Sequence, residues 1–427
     1  MTTFRTSPGM RDLLGAEAAR RRAFDRAFEE VVGAAGYEQV VPPMLEDIGV
    51  FSRIGEATDV VSKEMYDFMD KGGRHVALRP EQTASVCRAF VEHRPQLPYK
   101  AWYSGPNFRY EKPQRGRQRQ FDQVGIEVLG PDDAHVDVEV IALGWDFLAS
   151  LGLRDVELVI NSLGDPDDRR SYTEAVGEHL RSRLGQLSEQ ARETLERNPL
   201  RVLDSKRPED TAAISEAPSI SDFWSAEAAE HFAAVRAGLD AVGVPWRLDA
   251  GLVRGLDYYR RTTFEFRSGA LDSAQNALGG GGRYDGLVEE LGGPSTPGIG
   301  FAIGVERSLI ACDAESVFSA MSPTVDLFVV DTTGGEAALS MSTELRRAGH
   351  SVDRGFGGRS MKAQMKAADR SGAVIALIVG DDERSSDTVT VRFLRGDIPQ
   401  ETWPRGEVVA RIPNALNEHR PPESIES

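Results

Sequence analysis

The first long element of the chain is indicated by an apolar stripe within a charged stretch. Four apolar residues recur there at spacings of three and four: Phe24, Phe28, Val31 and Ala35. This period predicts an amphipathic helix over residues 17–35, with Gly36 as its C-terminal stop. A short strand is predicted next at residues 37–41, and the two prolines that follow end it, because proline has no N–H for a central ladder.

Strand-like runs return several times in the following part of the chain. They are predicted at residues 75–78, 100–103, 123–129, 154–160, 246–248 and 262–267. Their spacing favours antiparallel pairing over strand–helix–strand units. Between about residues 165 and 242 the sequence instead becomes charged, alanine-rich and helical in period, so we expect an inserted helical module there.

A change of pattern near Pro323 predicts a second domain. Buried-type strands alternate with helices after it, in the order strand 325–330, helix 335–348, helix 360–371 and strand 373–379. This alternation is typical of a small α/β domain. We therefore expect one domain at residues 1–322, which includes the helical module, and a second at 323–427, which becomes a loose tail from about Asn414.

Composition and charge narrow the class of protein. The chain has 427 residues, of which 40% are hydrophobic, enough for two or three domains with cores. No apolar run reaches the ~18–20 residues of a membrane span, and the first residues lack the apolar segment of a signal peptide, so we expect a cytoplasmic protein without a membrane partner. Two cysteines, Cys87 and Cys312, provide neither a disulfide framework nor a cysteine metal site. The net charge of −17 argues against a protein that coats nucleic acid, although a local basic patch can still bind one RNA.

A basic hairpin is the first segment whose residues could take part in binding or catalysis. Between Phe108 and Phe121 a strand leads into a loop with a proline and a glycine and then into a second strand. Its charged residues are Arg109, Glu111, Lys112, Arg115, Arg117 and Arg119. Guanidinium forks of this kind bind phosphate oxygens. A solvated charged hairpin explains the same composition equally well.

Two further segments carry polar groups at the ends of predicted strands. Glu81 and Thr83 are suited to binding an ammonium group together, or to capping the helix that follows. Tyr258 and Tyr259, which come shortly after Arg254, are suited to recognising a polar ring, or to packing on a strand. The residues alone leave both pairs of interpretations open.

Glycine-rich segments follow in the last third of the first domain. The run of four glycines at 279–282 indicates a close approach of the backbone to a ligand or a strand, or else a flexible loop. It lacks the spacing of a dinucleotide fingerprint and the ending of a P-loop. Residues 298–307 predict a glycine-spaced strand that enters a helix, with Arg307 at the rim of the sheet where a phosphate can reach it.

In this order the segments resemble the motifs of class II aminoacyl-tRNA synthetases, and specifically of the histidyl-tRNA synthetase family. The helix at 17–35 with its strand is similar to motif 1, Phe108–Phe121 to motif 2 and Gly298–Arg307 to motif 3. Arg254–Tyr259 and Gly280–Leu287 are similar to the two peptides that mark the histidine enzymes. The resemblance extends from Met1 to about Ile412. It implies an α+β fold, with an antiparallel β-sheet flanked by helices, a helical insertion and a C-terminal α/β anticodon-binding domain.

The resemblance also implies a reaction and its partners. The expected enzyme activates L-histidine with ATP, whose phosphates carry Mg²⁺, and transfers it through histidyl-adenylate to the 3′ end of tRNA(His). No metal ligand on the protein is expected, and the expected assembly is a homodimer. A basic stretch of the C-terminal domain would contact tRNA, and it comprises Arg354, Arg359, Lys362, Lys366 and Arg370.

Roles for individual residues follow from the same resemblance. Around ATP, it implies that Arg109 and Arg254 bind the α-phosphate, Arg307 the γ-phosphate, Arg117 the outer phosphates, Glu111 the adenine amino group and Phe121 the adenine ring. Around histidine, it implies that Glu81, Thr83 and Gln123 bind the ammonium group, Glu127 and Tyr259 the two imidazole nitrogens, and that Tyr258 lines the pocket. For the acceptor end of tRNA, it implies Gln114 and Arg115 in the motif 2 loop.

Three alternatives share parts of these features. One is a non-catalytic, synthetase-like regulatory subunit of ATP phosphoribosyltransferase, which typically lacks the C-terminal domain and an intact peptide like the one at Arg254. Another is a class II synthetase for a different amino acid, which would not share the two histidine-type peptides. The third is a purely structural dimer, which has no need for arginines at strand and helix ends.

Overall fold

The computed structural model describes residues 4–52, 63–205, 207–252, 258–272, 275–319 and 324–419. Arg254, one of the residues given a role from the sequence, lies outside these ranges. The described residues form two compact units, the larger containing residues 20–319 and the smaller residues 324–419. The helices that the structure describes include none long and apolar enough to cross a membrane.

The larger unit contains strands and helices in mixed order. Its strands are β1 (Glu38–Gln39), β2 (Leu45–Asp47), β3 (Tyr66–Met69), β4 (His75–Leu78), β5 (Tyr99–Phe108), β6 (Gln120–Leu129), β7 (Val156–Ser162), β8 (Arg247–Leu248), β9 (Arg260–Ser268), β10 (Ala277–Arg283) and β11 (Gly298–Gly304). Its helices are α1 (Gly15–Ala34), α2 (Ile48–Ser52), α3 (Thr83–His93), α4 (Ala134–Ser150), α5 (Pro166–Ser182), α6 (Glu189–Arg197), α7 (Thr211–Ser215), α8 (Ala226–Ala241), α9 (Leu287–Glu290) and α10 (Val305–Glu315).

The main sheet of this unit has the strand order β1-β5-β6-β11-β10-β9-β7-β8. All pairs from β5 to β7 are antiparallel, and only the edge pairs β1/β5 and β7/β8 are parallel among the described residues. A second sheet has the order β2-β4-β3. The predicted α+β class with an antiparallel sheet flanked by helices is therefore confirmed.

Side-chain alternation along β6 separates a core face from a polar face. Val124, Ile126 and Val128 belong to the hydrophobic core, together with Phe24 of α1 and Phe147 of α4. The two phenylalanine rings meet edge to face, with their centroids 5.1 Å apart. Because successive strand side chains point to opposite faces, Glu127, between Ile126 and Val128, points away from this core.

Helix α1 differs slightly from its predicted pattern. It begins at Gly15 and ends at Ala34, and Gly36 has a φ of 80°, in agreement with the predicted stop. Phe24, Phe28 and Val32 are its buried residues, whereas Val31 is only partly buried against the same core. The buried stripe therefore shifts by one residue in its last turn.

Strand β5 extends beyond the predicted residues 100–103. It continues through Gly105 and Pro106 to Phe108, paired with β6 along its whole length. Strand β1 pairs with β5 only at Ala101 and Trp102, so none of the described strands lies beside the outer edge of β5 near Pro106. A proline is tolerated there because its missing N–H removes no ladder hydrogen bond.

The glycine run is the interior of a central strand. A Cβ on Gly281 would lie 1.9 Å from the carbonyl oxygen of Gly300 on β11, and one on Gly282 would lie 2.6 Å from the carbonyl oxygen of Thr262 on β9. Of the two interpretations left open by the sequence, close approach to another strand is confirmed and a flexible loop is wrong.

The helical module predicted at about 165–242 consists of α5 to α8 with short 3₁₀ turns. These turns are Leu184–Gln186, Pro199–Asp204, Pro208–Asp210 and Ile220–Phe223. The module has a small core of its own, which includes Tyr172, Leu180 and Leu195. Its last helix packs tightly on α4, since a Cβ on Gly238 would lie 2.6 Å from a methyl group of Val138.

The smaller unit is the expected α/β domain. Its elements are β12 (Leu327–Asp331), α11 (Glu336–Arg347), β13 (Val352–Arg354), α12 (Met361–Arg370), β14 (Ile375–Val379), α13 (Asp381–Ser386), β15 (Thr388–Phe393), β16 (Glu401–Pro404), a 3₁₀ turn (Arg405–Glu407) and α14 (Val408–His419). The strand order is β13-β12-β14-β15-β16, parallel among the first three strands. The loose tail predicted from Asn414 is wrong up to His419, because Ile412, Ala415 and Leu416 bury an apolar face of α14.

Candidate active site

A cavity of about 320 Å³ lies on the polar face of the main sheet. Its wall is formed by the start of α3, the hairpin between β5 and β6, the strands β9 to β11 and the start of α10. The wall includes the following predicted site residues: Glu81, Thr83, Arg109, Glu111, Arg117, Phe121, Gln123, Tyr258, Tyr259 and Arg307. The fold therefore brings together groups that are more than 200 residues apart in sequence.

Arg109 lies at the end of β5 with its guanidinium over an aromatic ring. The guanidinium carbon is 5.2 Å from the centroid of the Phe121 ring, and Nε donates to the carbonyl oxygen of Pro80 at 3.0 Å. Burial lowers the pKa of Arg109, against the opposing effect of Glu111 and Glu64. A partly desolvated, planar cation at this position is well suited to receiving a phosphate.

Arg307 lies in the first turn of α10 and is held by backbone oxygens. Nε donates to the carbonyl oxygen of Gly116 at 3.1 Å and Nη1 to that of Ala277 at 3.0 Å. Burial lowers its pKa, and the nearby positive charges of Arg117 and Arg109 lower it further. Like charges that repel one another around a cavity provide a binding site for a polyanion.

The hairpin after Arg109 divides its charged residues between the cavity and the solvent. Glu111 and Arg117 line the cavity and pair with each other, with Nε and Oε2 2.7 Å apart. Gln114 and Arg115 are exposed at the turn and do not line the cavity. Arg119 turns away from both regions and stacks on Tyr110, with 3.8 Å from its guanidinium carbon to the ring centroid.

Glu81 caps a helix and lines the cavity at the same time. Its carboxylate accepts hydrogen bonds from the backbone N–H of Thr83 at 2.6 Å and of Ala84 at 2.9 Å, in the first turn of α3. Burial raises the pKa of Glu81, and these hydrogen bonds oppose the rise. The helix-cap interpretation therefore applies to Glu81, while the side chain of Thr83 is left available for another contact.

Glu127 lies behind the cavity wall and is fully buried. Three hydroxyl groups surround its carboxylate: Thr83 donates at 2.7 Å, Tyr103 at 3.2 Å, and Tyr284 donates through a short hydrogen bond. Burial raises the pKa of Glu127 to about 8, and the hydroxyl groups limit the rise. In this arrangement the hydroxyl groups, and not the carboxylate, face the cavity.

Gly300 is required beside this carboxylate. A Cβ at this position would lie 1.8 Å from Oε2 of Glu127 and 2.3 Å from the carbonyl oxygen of Ile126. The spacing of glycines in motif 3 thus serves the close packing of β11 against β6. It leaves room for a carboxylate inside the sheet.

The two tyrosines at the start of β9 lie side by side. The ring centroids of Tyr258 and Tyr259 are 4.6 Å apart, and Tyr258 also meets Tyr284 edge to face at 5.8 Å. Burial raises the pKa of Tyr258 well above its usual range, so its hydroxyl stays protonated. On the next wall, Gln123 accepts from Nδ2 of Asn107 at 2.8 Å, which orients its amide.

Some residues of the wall had no role predicted from the sequence. They include Tyr103, Glu265, Tyr284 and Glu306. Tyr284 lies two residues after the glycine run, and its position in the histidine-type peptide was a signal that could have identified it. Tyr103 ended a predicted strand without any local mark of function, because only the pairing of β5 with β6 places it beside Glu127.

Comparisons with known proteins agree with this geometry. A family model described as histidyl-tRNA synthetase matches residues 9–307, and one described as an anticodon binding domain matches residues 325–415. The histidine–tRNA ligase of Lactiplantibacillus plantarum is 44% identical over 396 residues, which are 90% of this chain and 93% of that protein.

Solved structures show the same likeness. The apo S. aureus histidyl-tRNA synthetase superposes with a TM-score of 0.81 at 34% identity, covering 96% of this chain and 100% of that one. A Bacillus halodurans protein described as an ATP phosphoribosyltransferase regulatory subunit/histidyl-tRNA synthetase has a TM-score of 0.66 at 21% identity, over 89% and 100% of the two chains, a likeness of fold alone. By the extent of the family match and the identity to its curated relatives, the chain belongs to the histidyl-tRNA synthetase family.

Proposed function

We propose that the protein activates L-histidine with ATP and transfers it through histidyl-adenylate to the 3′ end of tRNA(His), the reaction of its family. The observation that carries the proposal is the shared cavity wall. Arg109 and Arg307, from distant segments, meet there beside Glu81, Thr83 and a pair of tyrosines. The same wall therefore offers cations for a triphosphate and hydrogen-bonding groups for an amino acid.

In the first half-reaction the substrate is its own nucleophile. A carboxylate oxygen of histidine forms a bond to the α-phosphorus of ATP, the bond to the bridging oxygen breaks, and pyrophosphate leaves. The protein then contributes positioning and charge stabilisation. We assign the α-phosphate to Arg109 and Arg254, the γ-phosphate to Arg307 and the outer phosphates to Arg117.

Magnesium would enter this site with the phosphates of ATP. The described residues contain no group of three or more His, Cys, Asp or Glu side chains that could hold a metal ion. Mg²⁺ is commonly held by one or two carboxylates together with substrate phosphates. Glu265 and Glu306 line the cavity and have this chemistry. When bound, the ion would neutralise charge on the phosphates.

Adenine would bind at the hairpin. The ring of Phe121 lies on the cavity wall next to the guanidinium of Arg109, and we assign stacking of the base to this ring. Glu111 would accept from the adenine amino group. Its present partner Arg117 would then move to the outer phosphates, so ATP binding exchanges one ion pair for two contacts with the nucleotide.

Histidine would bind at the other end of the cavity. We assign the ammonium group to Glu81, Thr83 and Gln123 and the imidazole side to Tyr258 and Tyr259, because all five line the cavity. Glu127 would bind an imidazole nitrogen. It would do so either indirectly, through one of the hydroxyl groups that surround it, or directly, after one of these hydroxyl groups has rotated away. An imidazole-specific site rejects apolar amino acids, because they leave these buried polar groups unpaired.

Contact with tRNA would use both units. Gln114 and Arg115, exposed at the motif 2 turn, would meet the acceptor end, where the ribose hydroxyl attacks the adenylate and AMP leaves. In the domain predicted at 323–427, Lys362, Lys366 and Arg370 are exposed at four-residue spacing along α12 and so share one helix face. Arg354 and Arg359 precede them.

The contribution of α12 can be measured by charge reversal. Lys362→Glu combined with Lys366→Glu should weaken tRNA binding and lower the slope of log Kd against log salt by about 1 per lost phosphate contact. Filter binding across a salt series measures both quantities. Arg154→Glu, an exposed reversal elsewhere, is the control, and equal effects of the two changes would contradict the assignment.

The experiment that tests the function is aminoacylation with labelled histidine and tRNA. We expect label on tRNA only when ATP is present. A chain that binds ATP or histidine but never charges tRNA would favour the regulatory-subunit alternative, and charging with proline or threonine would favour another class II enzyme. We expect the reaction in the cytoplasm, which fractionation of the activity would test.

We infer a homodimer from exposed apolar residues that follow closely after the segment similar to motif 1. They lie on the sheet β2-β4-β3 and in the segment before it, and are Val41, Met44, Leu45, Phe68 and Met69, with exposed fractions of 41 to 77%. A second copy of the chain would cover them. Exposed apolar patches of this kind mark interaction sites.

Disruption of this surface should separate the subunits. Met69→Glu is expected to shift the mass in sedimentation equilibrium from twice 46.7 kDa towards the mass of one chain, because a charge cannot be desolvated cheaply in an apolar interface. Val242→Glu, at a similarly exposed apolar residue outside this surface, should leave the mass unchanged. A wild-type mass of one chain would contradict the homodimer.

A further inference from the structure

The start of β9 has an irregular backbone beside the cavity. Arg261 has a φ of 47°, a left-handed conformation that residues with a Cβ seldom adopt. The pairing of β9 with β10 also shifts at this point, since Gly282 lies opposite Thr263 whereas Arg283 lies opposite Arg260. Irregularities of this kind aim side chains next to active sites, and surrounding contacts must hold them in place.

The holding contacts come from the first helix of the helical module. Nε of Arg261 donates to Oδ1 of Asp165 at 2.8 Å and Nη2 donates to Oδ2 at 3.2 Å, a two-pronged pairing of guanidinium with carboxylate. Asp165 is the N-cap residue of α5. Two backbone hydrogen bonds join the same segments, from Arg261 to Gly164 at 2.9 Å and from Leu163 to Arg261 at 2.8 Å.

The held segment is the one that carries the cavity tyrosines. Tyr259 lies two residues before Arg261 and lines the cavity with Tyr258. Arg169, one turn after Asp165 on α5, donates from Nη1 to the carbonyl oxygen of Tyr259 at 3.4 Å. Helix α5 therefore contacts both ends of segment 259–261, although none of its described residues lines the cavity.

Asp165 also forms hydrogen bonds with other parts of the helical module, through its backbone and through its carboxylate. Its own backbone N–H donates to Asp168 at 2.9 Å, which completes a capping box at the start of α5. Ser225, the N-cap residue of α8, lies 3.4 Å from the second oxygen of Asp165. The N-cap residues of the first and last helices of the module thus contact each other through the carboxylate of Asp165. Because Arg261 pairs with the same carboxylate, a shift of the module would displace Arg261.

We propose that the pair Arg261–Asp165 is a positioning device through which the helical module sets the affinity for histidine. The pair holds the left-handed backbone at Arg261, and this backbone orients Tyr258 and Tyr259 towards the imidazole side of the cavity. The inference rests on the proposed histidine role of these tyrosines. It assigns Arg261 and Asp165 to positioning, since neither lines the cavity.

Two variants test the pair while sparing the fold. Arg261→Gly removes the guanidinium, and glycine adopts a positive φ without the Cβ penalty. Asp165→Asn removes the charge and keeps a good N-cap residue for α5. In histidine-dependent ATP–pyrophosphate exchange, each should raise the KM for histidine roughly tenfold or more, because small displacements of binding groups have large effects. The KM for ATP and kcat should change by less than about twofold.

A matched control exists on the same sheet. Arg247 pairs with Glu157 in the same two-pronged geometry, at 2.7 and 3.0 Å, but joins β8 to β7 away from the cavity wall. Arg247→Gln should leave the KM for histidine unchanged. The positioning role is wrong if Arg261→Gly and Asp165→Asn leave this KM unchanged, or raise it equally with the KM for ATP. Absence of exchange in the wild type would instead overturn the proposed function.

Discussion

Arg109→Ala is expected to lower the rate of histidine-dependent ATP–pyrophosphate exchange by roughly a hundred- to a thousandfold, the range seen when one oriented donor to a transition-state oxygen is removed. The reason lies in the position of the guanidinium. It is held over Phe121 on the cavity wall, and its Nε donates to the carbonyl oxygen of Pro80. Both kcat and kcat/KM for ATP should fall, because the contact strengthens as charge develops on the phosphate.

The control for this change removes an equal charge elsewhere. Arg154→Ala deletes a guanidinium with 78% of its side chain exposed, at the surface near Glu315. It should leave exchange near the wild-type rate. If Arg109→Ala stayed within a few-fold of the wild type while the fold was intact, the phosphate role would be lost. Arg254→Ala in the same assay tests the third arginine, which lies outside the described residues.

Glu127→Gln is expected to lower kcat/KM for histidine roughly 10- to 100-fold, with little change in the KM for ATP. The carboxylate accepts from three hydroxyl groups, two on Oε1 and one on Oε2. Above its pKa of about 8 this carboxylate is ionised, and an amide then has a donor where one of its accepting oxygens stands, so at least one of the hydroxyl groups on the cavity wall must reorient when exchange is assayed above this pH. Steady-state exchange with histidine and ATP varied separately measures the two effects, and equal losses for both substrates would contradict the pocket assignment.

A matched pair outside the cavity provides the control. Glu139 accepts from the hydroxyl of Tyr37 at 3.1 Å, the same chemistry as the contact of Tyr284 with Glu127. Glu139 also pairs with Lys100, with Oε1 and Nζ 2.7 Å apart, so Glu139→Gln removes the charge of a tyrosine-bonded carboxylate at a partly exposed site that does not line the cavity. We expect the KM for histidine to be unchanged in this variant.

Glu127→Gln should also change the way in which the free energy of unfolding depends on pH. Burial raises the pKa of Glu127 from the usual 4.5 to about 8, so between these values the folded protein binds more protons than the unfolded chain. The contribution of Glu127 to the free energy of unfolding therefore falls as the pH rises from about 4.5 to about 8, by about 1.4 kcal/mol per unit of pKa shift. The difference between Glu127→Gln and the wild type should grow in favour of the variant across this window, as denaturant titrations at several pH values would measure.

Sequence patterns were most informative where the controlling contacts are local. The four-residue period of Phe24 and Phe28 predicted α1, and β4 has the bounds that alternation predicted. Errors arose where distant partners decided the outcome. Strand β5 extends through Pro106 because its outer neighbour ends early, and Asn414 is helical because α14 has a core to pack against.

The order of the motifs was sufficient to predict the family, the reaction and ten of the residues on the cavity wall, because each motif carries its chemistry in a few adjacent side chains. Tertiary structure alone decided which neighbours these side chains have. Glu127 is enclosed by hydroxyl groups from three separate segments, Arg307 is held by backbone oxygens, and Arg261 pairs with a carboxylate 96 residues away. Such contacts depend on strand order and register, which are set by packing between distant parts of the chain and leave no period in the local sequence.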